Sequence, residues 1–427
     1  MVDVVALGIN GVIGQGIFLL PGLAAAKMGP ASMVAIFVAA ILSFLIALNF
    51  AEVGSRFRST GGAYLYAREA FGDFIGFEVG WMTCCVAVIS WAALANGFTL
   101  VLAHFLPAVS EPGIQPFVMI GTMAALAGIN VFGAKMGAAV STFFSAAKLV
   151  PLCLFVGVGL FAIEGGNFEP FAPKGYGDLA DTTLLLLYAF VGFETLVVPA
   201  GEMDNPNRNV PIALVLVMAV VTAVYLTVLL VSFGTLPTIA GHANPVSAAS
   251  ELVMGPAGGT LVAAGIVISV FGTNAGAALV SPRRFFALSE RGDLPKIISK
   301  VRPGSGAPVP AIILTFALSA MLALTGTFKE LAILGVIARF LQYIPTCLAV
   351  IVLRRRNPDS EGFRLPFHPV LPLITIGLCL WLMANTQPDR LIKGGIALLV
   401  GVPLYFLAKW LRSRESGTDV PSDSVQP

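Results

Sequence analysis

The stretch GINGVIGQGIFLLPG (Gly8–Gly22) decides how this chain is read, and YAFVGFETLVVPAGE (Tyr188–Glu202) repeats its pattern near mid-chain. In each, a glycine (Gly14, Gly192) precedes a proline (Pro21, Pro199) by seven positions, inside a run apolar enough for a bilayer. A membrane-depth helix carrying Gly-x-Gly leaves backbone amides and carbonyls unpaired, and lipid cannot satisfy them. Such a break is tolerated where it lines a polar cavity. Two breaks at corresponding places therefore predict a secondary transporter with its site at the bilayer midplane.

Composition points the same way. Of 427 residues, 57% are hydrophobic and only 11% charged, with a mean hydropathy of +0.89. A soluble domain carries about 25% charged residues, so most of this surface must face lipid. The net charge of +2 and the lack of a basic patch with interleaved aromatics give no sign of a nucleic-acid partner. The five cysteines (Cys84, Cys85, Cys153, Cys347, Cys379) fall in apolar runs and read as small hydrophobes. The three histidines are scattered, so no metal set and no cofactor is expected. The first apolar run lacks a basic leader and reads as a working span.

A spanning helix needs roughly 20 apolar residues. Twelve candidates centre on 4–26, 31–53, 76–104, 114–132, 136–163, 181–201, 210–234, 258–286, 308–326, 329–352, 367–385 and 392–411. The stretch 236–256 is too polar to span and reads as an extracellular loop with a short helix. Residues 412–427 read as a disordered tail. Eighteen Lys and Arg residues fall in one set of alternate loops and the tail, and five (Lys27, Lys174, Lys329, Arg390, Lys393) in the other. The positive side is the cytoplasmic one, which places both termini in the cytoplasm of a cell whose cytoplasmic (inner) membrane holds the chain.

Five segments in order carry a resemblance covering nearly the whole chain: IGQGIFLLPG, AEVGSRFRSTGGAYLYAREAFG (Ala51–Gly72), GFETLVVPAGEMDNPNRNVPIA (Gly192–Ala213), SPRRFFALSERGDLP (Ser281–Pro295) and LQYIPTCLAVIVLRRRNP (Leu341–Pro358). With its twelve spans the chain resembles the amino acid–polyamine–organocation permeases. The resemblance implies an all-α integral membrane fold of 12 transmembrane helices, with a 5+5 inverted repeat (LeuT-like) shared with sodium-coupled amino acid transporters. Residues 1–163 would form the first repeat, 164–352 the second and 353–411 two extra spans, with helices 1 and 6 broken. Span 1 begins almost at Met1, where the family carries a longer cytoplasmic N-terminus, which leaves an upstream start open.

The breaks supply a site for a zwitterion. The amides of Ile13–Ile17 (Ile13, Gly14, Gln15, Gly16, Ile17), with Val12 before them, open the outer half of span 1 at a positive helix terminus suited to a carboxylate. The carbonyls of Phe190, Val191 and Gly192 end what reads as the inner half of span 6, a negative terminus suited to an ammonium. The resembling fold implies pocket walls from span 3 (Val86, Ala87, Trp91), span 8 (Thr273, Asn274, Gly276, Ala277) and span 10 (Gly335, Ala338, Arg339), with Phe190 or Phe193 as a lid.

Three ionisable groups lie inside spans and are candidates for coupling or gating. Lys148 is mid-span 5. Many sodium-independent members of the resembling family place a lysine in this Lys-Leu-hydrophobic-Pro context. There it stands in for a cation and reaches the carbonyls of Gly11 or Val12, and it is also a candidate proton carrier. Glu194 reads as the start of the outer half of span 6. It is a helix-terminal carboxylate, a titratable gate or the partner of a cationic substrate. Arg339 neutralises Glu194, holds a carboxylate or pairs with a backbone carbonyl.

The leading reading is a sodium-independent transporter of an amino acid or related amine, proton-coupled or working by exchange, monomeric or weakly dimeric. A transport-dead amino acid sensor and a sodium symporter are the alternatives. An intramembrane enzyme would need a nucleophile–base pair, a HExxH site or paired aspartates within spans, and the sequence has none.

Overall fold

The computed structural model describes residues 2–57, 61–132, 148–197, 205–242, 244–358 and 362–416. They are helical almost throughout, and no strand occurs among the described residues. In a bilayer every backbone N–H and C=O must be paired within its own segment, which a helix achieves. The first apolar run forms α1 (Val2–Val12) and α2 (Gly16–Met28), followed after a turn at Gly29–Ala31 by α3 (Ser32–Gly54) and the short α4 (Ala63–Phe71). Next come α5 (Asp73–Leu102), α6 (Gln115–Phe132), α7 (Lys148–Ala162) and α8 (Leu179–Phe190), which runs into a tight 3₁₀ turn at Phe193–Val197. The chain continues through α9 (Pro206–Thr235), α10 (Pro245–Glu290), α11 (Val309–Thr325), α12 (Phe328–Arg356), α13 (Val370–Ala384) and α14 (Pro388–Ser416).

Seven stretches among the described residues are long and apolar enough to cross a membrane: Gly16–Gly54, α5, α6, α9, α10, α12 and Pro388–Trp410. The first holds both α2 and α3. Four shorter apolar helices, α7, α8, α11 and α13, stand at other expected spans. Two stretches read as lying outside the spans are continuous with them. Helix α10 is 46 residues long because the short helix expected in loop 236–256 runs into span 8, with the bend at Gly255 (φ 73°). Only glycine takes that backbone conformation cheaply. Helix α14 continues to Ser416, so Arg412–Ser416 are helical and not part of a loose tail. Residues 417–427 lie outside the described residues, as do Pro199 and most of the first half of span 5.

Helix α5 is the axis of the packing. It touches α4, α6, α10, α11, α12 and α14, and 78% of its apolar window is buried. The corresponding figures for α6 and α14 are 22% and 17%. Their outer faces show Phe117 (80% exposed), Phe132 (78%) and Leu399 (66%). Apolar faces this large and continuous are stable against lipid, not water.

Candidate functional site

Span 1 ends its first half at Val12 and restarts at Gly16. The Ile13 amide still donates to the Ile9 carbonyl (2.8 Å), and the Phe18 and Leu19 amides donate to that of Gln15 (both 3.1 Å). The amides of Gln15, Gly16 and Ile17 open α2, where a helix supplies no acceptor of its own. Val12, Ile13 and Ile17 bury their side chains in the core, so what they offer to a ligand is backbone. The Gln15 side chain is buried as well. Its Nε2 donates to the Ala93 carbonyl (2.9 Å) and the Tyr188 hydroxyl (3.1 Å). Its Oε1 is left buried without a partner. Gly97 of α5 makes room for this amide, since a Cβ there would overlap it.

Span 6 breaks beside this point. Helix α8 ends at Phe190, and the chain turns through Val191 and Gly192 into the Phe193–Val197 turn. Gly192 has φ 115°, and a Cβ on it would run into the Gly11 carbonyl oxygen. A side chain here is strained twice, by conformation and by contact. Gly16 lies directly on the end of α8: a Cβ on it would sit 2.7 Å from Ala189 Cα. Gly14 has more room, its nearest neighbour being Thr273 Cγ2 at 3.5 Å. Of the three carbonyls expected to be free, that of Gly192 is taken by the Thr195 amide (3.1 Å) and hydroxyl (2.6 Å). No hydrogen bond from a described residue reaches those of Phe190 and Val191.

The halves of span 6 are the reverse of the sequence reading. Helix α8 packs on α2, through Gly16–Ala189 and the Lys27–Asp181 ion pair (2.5 Å), whereas the Phe193–Val197 turn packs on α1. If span 1 enters from the cytoplasm, α8 is the outer half and Glu194 begins the inner one. A sixth span must run outside-in when the first runs inside-out. The carbonyl-ended terminus therefore lies on the same side as α2, opposite its amide-rich start.

Two side chains tie the breaks together. Lys148 Nζ donates to the Asn10 (2.9 Å) and Ile13 (2.7 Å) carbonyls, not to those of Gly11 and Val12. It thereby grips the last turn of α1 and the break itself. Tyr225 of α9 lies within hydrogen-bonding distance of the Val12 (3.0 Å) and Ala189 (2.9 Å) carbonyls, with the Gly14 amide beside the same hydroxyl. One proton is shared between the ends of both broken helices. Nothing in the sequence pattern singled out Tyr225. The only signal was a buried tyrosine in an apolar span, whose hydroxyl needs a partner.

Glu194 and Arg339 form a buried ion pair, Nε to Oε1 at 2.9 Å. Glu194 Oε2 accepts from the Gly192 amide (2.9 Å) and the Tyr343 hydroxyl (3.2 Å). Arg339 also donates to the Gly335 carbonyl (3.2 Å) and to Ser90 Oγ (3.0 Å). Two of the readings left open thus hold together: Arg339 meets both the carboxylate and a carbonyl, and Glu194 also caps the turn that follows the break.

The aromatic candidates separate. Phe190 packs edge-on to Tyr225 (5.1 Å between centroids), and Phe193 stacks on Tyr343 (5.8 Å) beside Phe50. Trp91 lies about 160° round α5 from Ala93, packed towards Phe316 of α11 (6.4 Å). The structure therefore does not bring it to the break, where Ser90, Ala93 and Gly97 face instead. In span 8, Asn274 is spent on the Leu94 and Val270 carbonyls (2.9 and 3.1 Å).

Polar side-chain contacts join helices at both ends. At one, Asp181 holds Lys27 and Arg390 (2.8 Å), joining α2, α8 and α14. At the other, the Tyr64 hydroxyl donates to Asp293 (2.9 Å) and accepts from Arg68 (2.9 Å), with Arg291 over the ring. Burial, and then the neighbouring Asp293 charge, push the Tyr64 hydroxyl above its ordinary pKa.

A sequence model of the family described as amino acid permease matches residues 1–395. The chain is similar to the methylthioribose transporter of Bacillus subtilis (strain 168), 30% identical over 95% of this chain and 92% of the relative. It is equally similar to the branched-chain amino acid permease BcaP of that organism, at 30% over 95% and 91%. The serine/threonine exchanger SteT, also from B. subtilis, is 29% identical over 94% of each. These relatives are transporters, not enzymes. With its apolar helices and a match along most of its length, the chain is a multi-pass membrane protein belonging to the amino acid permease family.

Proposed function

We propose that this protein carries an amino acid or related amine across the cytoplasmic membrane by alternating access, without sodium and with coupling to protons or to exchange. The observation that carries the reading is the facing of the two breaks. The amides of Gln15–Ile17 start α2 where a carboxylate is favoured, and the Phe190 and Val191 carbonyls end α8 where an ammonium is favoured. In this reading twelve spans form two inverted five-span repeats plus two further spans, with both termini cytoplasmic. Helices α2 and α8 act as one outer unit, and α1 with the Phe193–Val197 turn as one inner unit. Their hinges are Ile13–Gln15 and Val191–Gly192. Lys148, bonded to the last turn of α1 and to the start of the first hinge, takes the part that a bound cation would otherwise play. The relatives named for branched-chain amino acids and for serine and threonine support amino acid transport, and the one named for methylthioribose shows how far the solute varies within such similarity.

Uptake of labelled amino acids into proteoliposomes tests the reading, at two pH values, with sodium or choline, and with or without internal substrate. Saturable uptake unchanged by choline is expected. Binding without uptake would identify a sensor, and a several-fold loss in choline a sodium symporter.

A further inference from the structure

Glu78 stands apart from every other buried carboxylate among the described residues. Glu52 is met by Arg56 (2.8 Å), Arg354 (3.5 Å) and the Leu365 amide (2.8 Å). Glu194 has Arg339, Tyr343 and the Gly192 amide. Asp293 has Tyr64. Glu78, in the second turn of α5, is only 7% exposed, and neither of its carboxyl oxygens has a hydrogen-bond partner.

The surroundings explain the isolation. Helix α14 crosses α5 with Gly401 against the Glu78 carboxyl. A Cβ at 401 would overlap that carboxyl and lie 2.8 Å from the Trp81 ring, so a larger residue there would displace the carboxyl or the helix. Trp81 is itself tied to α14, donating to the Ala397 carbonyl (2.8 Å). Pro403 has no amide to give the Leu399 carbonyl, which leaves an acceptor on the same stretch of α14. Among the described residues, no cation is paired with the carboxyl. On α5 the titratable neighbour is the Cys85 thiol. Arg68 of α4 packs at Gly76, but its guanidinium is held by Asp73 and Tyr64. Helix α12 contributes Leu334, Ala338 and Leu341 around Trp81 and Cys85. On α14, the Tyr405 ring packs on Phe74 and Phe77, and Lys409 lies about 12 Å further along the helix from Gly401.

A carboxylate in such a place, with neither countercharge nor donor, is far costlier than a carboxylic acid. We propose that Glu78 is a proton-binding site at the α5–α14 contact: the acid is neutral while α14 lies against α5, and its ionisation loosens that contact. This site is separate from Lys148 and Glu194 and does not depend on which solute is carried.

Dicyclohexylcarbodiimide, which reacts with protonated carboxyls in apolar surroundings, tests the proposal on the purified full chain at neutral pH. A single adduct on the peptide containing Glu78 is expected, absent in Glu78→Gln. Infrared difference spectra of wild type against this variant should show a carboxylic-acid carbonyl band at neutral pH that disappears on alkaline titration. Glu78→Gln keeps the shape and the neutral charge, so it should fold as wild type at neutral pH, and its melting temperature should fall less than that of wild type on going to alkaline pH. An ionised carboxylate band for Glu78 at neutral pH, or an unmodified Glu78 peptide after carbodiimide treatment, overturns the proposal whether or not amino acid uptake is found.

Discussion

Lys148 holds the near side of the first hinge with a single ammonium, bonded to Asn10 in the last turn of α1 and to Ile13 where the break begins. Lys148→Ala leaves both carbonyls unpaired, at about 1–3 kcal/mol. That penalty falls on whichever conformation makes the bridge. It should change the inward–outward equilibrium and the uptake rate by about 5-fold to over 100-fold, with expression and melting behaviour largely retained. Uptake measured with the pH profile checks this. A slow variant whose pH dependence equals that of wild type would keep the bridge and reject a proton-carrying lysine. Among the glycines, position 16 should be less tolerant than 14. Gly16→Ala pushes into the α8 backbone, whereas a Cβ at Gly14 meets only ordinary contact with Thr273. Amino acid affinity should fall sharply in Gly16→Ala and Gly192→Leu, and much less in Gly14→Ala. Equal loss in the two alanine variants, read by ligand-dependent thermal shift, would contradict the placement of the cradle at the start of α2.

Between elements, the Glu194–Arg339 pair joins the turn after α8 to α12 and, through Ser90, to α5. Removing one partner of a buried ion pair strands the other, at about 3–5 kcal/mol. Glu194→Gln should therefore lower the melting temperature in detergent clearly, and Glu194→Gln combined with Arg339→Gln should recover part of the loss. Additive losses in the double variant would show that the pair is not coupled. The apolar helices were legible because long apolar runs leave few alternatives, though not their limits, and the first break was legible because Gly-x-Gly cannot be hidden in lipid. The order of the halves of span 6 was misread because local sequence shows where a helix breaks, not which neighbour each half joins. Gly16–Ala189 and Lys27–Asp181 supply that. Trp91 was placed by analogy to a wall, whereas helical spacing turns Ser90, Ala93 and Gly97 to the break. Tyr225 and Tyr343 were illegible because a tyrosine in an apolar run declares a need for a partner without naming it.

Across the whole molecule, the lipid-facing surface of α6 and α14, the charged ends and the facing breaks form one arrangement. The Asp181 cluster with Lys27 and Arg390 should face outside, and the Tyr64–Asp293 contact the cytoplasm. Lys174→Cys and Lys300→Cys test that orientation with a membrane-impermeant maleimide. The first should label in intact cells and the second only after permeabilisation, and the opposite pattern would invert the topology. The central claim is that an amino acid binds between the start of α2 and the end of α8 and crosses the membrane. Its most direct measurement is the initial rate of labelled amino acid uptake by reconstituted wild type and Gly192→Leu, both confirmed as folded. The account predicts saturable uptake by wild type, competed by the unlabelled amino acid, and a background rate for the variant. Wild-type uptake no greater than that of protein-free liposomes for every amino acid tried, or undiminished uptake by Gly192→Leu, would contradict it.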